Sequence, residues 1–167
     1  MSSWAEVERE AGDLATRAME RFSVRKHCTM ATLRADGSPR ISGTEVEFTD
    51  GELRIGSMPN AVKARDLQRD SRVALHSATV DPPDGQPTAW AGEAKVAGCA
   101  VEVESPEDSH RFVIDVTEVV LTHLDEEGKQ LVITSWHPGT GVREIRRSHT
   151  PTARDQAVVG PIGPRSA

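Results

Sequence analysis

The chain has 167 residues, a formal net charge of −6 and 37% hydrophobic residues, a length and composition that favour one folded domain and exclude a disordered chain. The negative charge, with three tryptophans, three phenylalanines and no tyrosine, argues against a protein that binds nucleic acid through charge or aromatic stacking. No apolar run approaches the roughly 18 residues that a membrane span needs, and the polar N-terminus lacks a signal-peptide core, so we expect a cytoplasmic protein that contacts no membrane.

The first predicted elements are a helix and a group of short strands. Apolar residues recur at a spacing near 3.6 across residues 3–22, a period typical of an amphipathic helix. Strands are predicted at 26–33, 40–48 and 52–56 from their apolar and β-branched residues. Asp-Gly pairs separate these strands, and this dipeptide is a common hairpin signal.

The second half of the chain continues with short elements. A helix is predicted at 60–69, and a further helix start at 105–108, where serine precedes proline and two acids. A surface loop is expected at 81–87 because proline, aspartate and glycine are dense there. The remaining strands are predicted at 71–77, 88–103, 116–124 and 130–136. The stretch at 88–103 is either a strand pair or one bent strand, since Gly92 and Gly98 interrupt it.

Six or seven short antiparallel strands with a few helices predict a mainly β protein. The commonest solution for such strands is a closed barrel, because closure removes the exposed sheet edges. We expect one domain over residues 1–147. Residues 148–167 are rich in proline, glycine and polar residues and are expected to form a flexible tail.

Cysteine and histidine show neither a disulfide framework nor a metal-binding spacing. Cys28 and Cys99 each lie in a strand-like run, which indicates two buried, reduced thiols, with a redox pair as the alternative. The six histidines are scattered without the HxH or HExxH spacing of metal ligands. We therefore expect no metal site.

Residues 56–70 are the strongest candidate for chemistry from the residues alone. A strand ends near Ser57 and a helix begins a few residues later, and the free N–H groups at a helix start favour an anion. Ser57, Lys63 and Arg65 could together hold a phosphate group. The alternative is an ordinary solvated basic helix.

The stretch from residue 53 to 75 resembles the flavin-phosphate segment of the pyridoxamine 5′-phosphate oxidase-like family. The residues that fit the family pattern are Ser57, Lys63, Leu67, Asp70, Arg72, Val73 and Leu75. The preceding strands around Asp36-Gly37 also fit, and the resemblance extends over residues 5–147. It implies a six- to seven-stranded antiparallel split β-barrel that binds FMN.

The C-terminal part of the chain resembles the family less closely. Trp136, Gly139 and Arg143 follow the outline of the terminal motif of the oxidases. Ile145 stands where those oxidases have a histidine that serves the vitamin phosphate ester. The sequence is therefore more similar to the flavin/deazaflavin oxidoreductase branch, some members of which use coenzyme F-420 instead of FMN.

The resemblance also suggests residue roles. The candidate cofactor-binding residues are Arg40, Gly43, Thr44, Ser57, Lys63, Arg65, Trp90 and Trp136. The candidate substrate-binding residues are His137, next to Trp136, and Arg143. Core packing is the alternative role for both tryptophans, with a dimer interface also open for Trp136, and a surface charge is the alternative role for Arg143.

These expectations lead to a functional hypothesis. No protein nucleophile is required, because a flavin or deazaflavin carries the hydride itself. The resemblance implies a homodimer with cofactor clefts at its interface, which transfers a hydride between FMN or coenzyme F-420 and a small conjugated or heteroaromatic substrate. The alternatives are a non-catalytic carrier of flavin, deazaflavin or haem on the same fold, and a structural dimer without a cofactor.

Overall fold

Nine strands and three α-helices make up the part of the chain that the computed structural model describes, residues 1–105 and 108–148. The helices are α1 (Trp4–Glu10), α2 (Gly12–Ser23) and α3 (Val62–Arg69). The strands are β1 (Cys28–Leu33), β2 (Pro39–Thr44), β3 (Val46–Thr49), β4 (Glu52–Ser57), β5 (Arg72–His76), β6 (Glu93–Val103), β7 (His110–Leu124), β8 (Gln130–His137) and β9 (Gly141–Ser148). None of the helices in these described ranges is long and apolar enough to cross a membrane.

The strands form one antiparallel sheet in the order β2-β1-β5-β6-β7-β4-β3, and β8 and β9 extend from β7. Strand β7 is central, because it pairs with β6, with β4 through its first residues and with β8 through its last ones. The predicted mainly antiparallel fold with few helices is confirmed. The pairing of β4 with β7 places Ser57 opposite His110 and Gly56 opposite Arg111.

Several details differ from the predicted elements. The described residues form nine strands where six or seven were predicted, and β9 was not predicted. The N-terminal helix is divided at Ala11, whose φ of −145° and ψ of 47° end α1 before α2 begins. The strand predicted at 40–48 is divided at Glu45 into β2 and β3. Of the helix start predicted at 105–108, residues 106–107 lie outside the described residues; β7 begins at His110, where β6 on one side and β4 on the other satisfy its backbone groups.

The buried core lies between the helices and the inner face of the sheet. Helices α1 and α2 contribute Trp4 and Phe22, which pack around the ring of Phe48 in β3. Cys28 is buried in β1 and Cys99 is half-buried in β6, and neither is in a disulfide. Most of the predicted tail, residues 149–167, lies outside the described residues, so its flexibility remains a prediction.

Candidate functional site

An open groove of about 860 Å³ lies where the ends of several strands meet the start of α3. It is lined by the end of β2, by β3, by the second half of β4, by the loop before α3 with its first turn, and by residues 109 and 111 around the start of β7. The groove brings together Gly43, Thr44, Ser57 and Lys63 from the residues proposed from sequence. The strand-to-helix connection between Ser57 and Lys63 forms one wall.

Ser57 ends β4 and presents the most unusual polar atom of the groove. Its Oγ is buried and has no hydrogen-bond partner, and among the residues that the structure describes it is the only buried side-chain polar atom in this state. Buried polar groups are normally paired, and an unpaired one costs about 1–3 kcal/mol. A polar ligand in the groove would supply the hydrogen-bond partner that this hydroxyl lacks.

Lys63 lies in the first turn of α3 and supplies a positive charge to the same groove. Its Nζ donates a hydrogen bond to the Gly43 carbonyl oxygen at 2.7 Å. Burial lowers the pKa of Lys63, and the nearby Cys28 and Glu45 partly oppose this effect. An ammonium has three N–H donors, so two remain for a ligand once Gly43 is satisfied.

The start of α3 adds backbone donors beside this charge. Ala61 is the N-cap residue and makes no side-chain capping hydrogen bond, and the first turn contains no acidic residue. Uncapped N–H groups and the helix dipole both favour an anion at this end. Ser57, Lys63 and the start of α3 therefore form a cradle suited to a phosphate group.

Arg111 is a groove residue that the sequence reasoning missed. It stands opposite Gly56 in the pairing of β4 with β7, is exposed, and forms no ion pair within residues 1–105 and 108–148. By contrast, Arg54 is engaged by Glu52 at 2.8 Å. No local sequence motif marks Arg111, since only the register of β7 against β4 brings it to the groove.

Two arginines proposed as cofactor contacts do not line the groove. Arg40 is bound through its Nε to the buried carboxylate of Asp66. Arg65 lies on the exposed side of α3. Lys63 is thus the proposed cation that the structure brings to Ser57.

The remaining proposed residues lie in other parts of the fold. Trp90 is half-buried in the loop before β6. Trp136 is fully buried, and its Nε1 donates to Glu10 Oε2 at 3.1 Å. His137 is exposed with Nε2 3.0 Å from Glu118 Oε1, and Arg143 is exposed on β9. The structure therefore does not bring these four residues into the groove of the same chain.

The donor set of the groove suits an organic phosphate rather than a metal ion. In the described part of the chain, no cluster of three or more histidine, cysteine, aspartate or glutamate side chains could hold a metal. The unpaired hydroxyl of Ser57 and the ammonium of Lys63 fit the phosphate of a flavin or deazaflavin cofactor. The groove volume of about 860 Å³ falls in the range of small-molecule and cofactor sites, roughly 300–1,000 Å³.

Comparisons with known proteins agree with the fold. The family model described as Pyridoxamine 5′-phosphate oxidase matches residues 15–130. PhzG from Burkholderia lata 383, solved in complex with tetrahydrophenazine-1-carboxylic acid, is 11% identical with a TM-score of 0.58, over 82% of this chain and 89% of PhzG. A pyridoxamine 5′-phosphate oxidase-related, FMN binding protein from Nostoc punctiforme PCC 73102 is 11% identical with a TM-score of 0.55, over 84% of this chain and 96% of that protein. At these identities the likeness shows a shared fold, and no curated protein matches the sequence significantly.

Proposed function

Because this chain belongs to the pyridoxamine 5′-phosphate oxidase family, we propose that it is an oxidoreductase that binds FMN or coenzyme F-420 in the groove. In this proposal a hydride passes between the cofactor and a small conjugated or heteroaromatic substrate. The observation that carries the proposal is the buried, unpaired Ser57 hydroxyl in the groove that the half-buried Lys63 also lines.

The phosphate end of the cofactor is assigned to Ser57, Lys63 and Arg111. Ser57 Oγ–H donates to a phosphate oxygen and thereby gains the partner that it lacks. Lys63 keeps its hydrogen bond to Gly43 and offers its other donors to the phosphate. Hydrogen bonds between charged groups and phosphate are stronger than neutral ones, so this end supplies much of the affinity.

The ring end of the cofactor is assigned to the strands beside Lys63. An added Cβ at Gly43 or Gly56 would meet no atom within 4 Å, so both strands leave open space along the groove. Thr44 is buried, with its Oγ1 3.3 Å from the Glu45 carbonyl oxygen, and forms a fixed wall. When bound, the flavin or deazaflavin supplies the hydride chemistry, and these residues hold and orient it.

We further propose that the active form is a homodimer. His137 and Arg143 are exposed and lie outside the groove of their own chain. Two-fold pairing would bring the same surface of each subunit to the other and form two equal sites. In that arrangement these two residues contribute to the cleft of the partner, where the substrate binds.

The experiment that tests the proposed function is a titration of cofactor-free protein with FMN, riboflavin and coenzyme F-420, followed by fluorescence. Lys63→Gln should weaken FMN binding by roughly tenfold or more, because a charged hydrogen bond to phosphate is lost. Riboflavin has no phosphate, so its affinity should be unchanged. Arg65→Gln, two residues further on the same helix but outside the groove, is the matched control and should bind FMN as the wild type does.

Other results would decide against the proposal. Failure of the folded wild-type protein to bind either FMN or coenzyme F-420 would refute the cofactor assignment. Equal FMN affinity for Lys63→Gln and the wild type would refute the phosphate site. A tightly bound cofactor that no hydride donor reduces would indicate a carrier protein instead of an enzyme.

A further inference from the structure

Helix α3 is attached to the sheet by a buried ion cluster centred on Asp66. The Asp66 side chain is 3% exposed. Its Oδ2 accepts hydrogen bonds from Arg40 Nε and from Thr32 Oγ1, the latter at 3.0 Å, and its Oδ1 accepts from Arg69 Nη2 at 3.0 Å. The cluster therefore joins α3 to both β1 and β2.

Such a cluster is better explained by positioning than by stability alone. Removing a carboxylate and a guanidinium from water carries a large penalty, and well-packed apolar residues often stabilise a fold equally well. Directional hydrogen bonds, however, define one position and one rotation of a helix. Burial alone raises the pKa of the Asp66 carboxyl, but the donors Arg40, Arg69 and Thr32 outweigh it and the pKa is lowered, so the carboxylate is charged at neutral pH.

The position of Asp66 relates the cluster to the groove. Asp66 follows Lys63 by three residues, so the two side chains lie on neighbouring parts of one helical face. Arg40 precedes Gly43 by three residues on β2. Helix α3 thus has two attachments to β2, Asp66 to Arg40 and Lys63 to the Gly43 carbonyl.

We propose that Arg40 and Asp66 are positioning residues for the phosphate end of the cofactor site. They hold α3 at the rotation that keeps the Lys63 ammonium beside Ser57, and they do not contact the cofactor. This inference rests on the proposed function. It replaces the direct cofactor contact expected for Arg40 from sequence, since the Arg40 guanidinium is engaged by Asp66 and does not line the groove.

The test compares FMN with riboflavin in variants of the cluster. Asp66→Asn keeps the shape of the side chain but removes its charge, and Arg40→Gln removes the partner. Each should lower the affinity for FMN by roughly tenfold, the size expected for residues coupled through one hydrogen-bond network. The affinity for riboflavin should stay near the wild-type value, because β2 and β4 at the ring end are held by backbone pairing with β1, β3 and β7, which these substitutions leave intact. Arg72→Gln, which removes an exposed arginine paired with Asp70, is the control and should change neither affinity.

The Asp66→Asn substitution made in a Lys63→Gln variant distinguishes a positioning role from direct contact with the cofactor. When Lys63 is already glutamine, the additional Asp66→Asn change should cause no further loss of FMN affinity, because the group being positioned is gone. Amide hydrogen exchange in the peptide covering 62–69 should be faster in Asp66→Asn than in the wild type. If Asp66→Asn does not fold, Arg40→Gln provides the same comparison, since Arg40 is at the margin of the cluster with 22% of its side chain exposed.

The outcomes distinguish this inference from the proposed function. If the wild type binds FMN and the cluster variants lose affinity for FMN and riboflavin equally, the cluster has only a general structural role and the inference is wrong. An additive loss in the Lys63→Gln background would also overturn it in favour of direct contact. If the wild type binds neither FMN nor coenzyme F-420, the proposed function itself fails and the inference falls with it.

Discussion

The substitution Ser57→Ala should change stability and cofactor binding in opposite directions. The unpaired hydroxyl of Ser57 carries a penalty of about 1–3 kcal/mol that alanine removes. Because the residue as a whole is half-buried, we expect a gain of about 1 kcal/mol, near the lower bound of that range. For a chain of this length, such a gain raises the melting temperature of the cofactor-free protein by about 2–4 °C.

The same substitution should weaken the binding of FMN. Loss of a hydrogen bond to a charged phosphate corresponds to about 1.5–3 kcal/mol, or roughly a 10- to 150-fold higher Kd. The assay combines thermal unfolding of the cofactor-free protein with an FMN titration monitored by flavin fluorescence. A more stable variant that binds FMN less tightly would identify Ser57 as a residue retained for ligand binding at the expense of stability.

Ser77→Ala is the matched control for this experiment. Ser77 is also at a strand end and is 2% exposed, but its Oγ accepts a hydrogen bond from the Ala94 N–H at 3.0 Å. Its removal leaves a buried N–H unpaired and should destabilise the protein by about 1–3 kcal/mol without changing the FMN affinity. The reasoning is refuted if Ser57→Ala destabilises the protein as Ser77→Ala does, or if it binds FMN as tightly as the wild type.

Three further predictions concern the rest of the fold. The stabilisation due to the lowered pKa of Asp66 is complete above pH 3.8 and is lost as pH falls through the folded-state pKa. The free energy of unfolding, measured in urea, should therefore fall less with decreasing pH in Asp66→Asn than in the wild type. Burial raises the pKa of Cys28 from 9.0 to about 11, so its alkylation near pH 8 should be roughly a hundredfold slower in the native than in the unfolded protein; equal rates would show that the thiol is accessible and ionised. Gly98→Ala would place a Cβ in a clash with the Asp115 carbonyl oxygen and should destabilise the protein by about 1–3 kcal/mol. Gly43→Ala, with no atom within 4 Å of the new Cβ, should leave thermal stability nearly unchanged.

The part of the site that sequence could predict is the part that is local in the chain. Ser57 and Lys63 are separated by one short connection from a strand to a helix, so their proximity follows from the order of elements. The position of Arg111 depends on the register of β7 against β4, which no short motif encodes. Local pattern therefore identifies the connection from β4 to α3 and leaves the contribution of β7 to the groove undetermined.

The roles of arginine and tryptophan were harder to predict, because both residue types serve binding sites and cores. Arg40 is on the strand expected to line a cofactor, yet its partner is Asp66, a carboxylate on α3. Trp136 was expected at the cofactor, with core packing as the alternative, and it is buried with a hydrogen bond to Glu10 in α1. In both cases the partner is distant in sequence, so only the packing of α1 and α3 on the sheet reveals it.

The bounds of the helices and strands also depended partly on pairing between residues that are distant in sequence. Hairpin signals at Asp36-Gly37 and Asp50-Gly51 identified two turns, and both glycines adopt positive φ. The helix start predicted at 105–108 lies partly outside the described residues, and no helix follows it within residues 108–148, where β7 forms ladders with β4 and β6. Tertiary pairing decides such cases, because a strand paired on both sides forms more backbone hydrogen bonds than the first turn of a short helix does.

The connection between β4 and α3 also bears on how the family could diversify. Between Ile55 and Ala64, which both belong to the buried core, the intervening residues lie outside it, and Ala61 alone packs against it. The donors proposed to bind the cofactor phosphate and the residues of the buried core therefore occupy adjacent but separate positions. If the proposed site is correct, substitutions in this short stretch would alter cofactor recognition while the barrel still folds, and selection could then exchange or discard a cofactor without rebuilding the core.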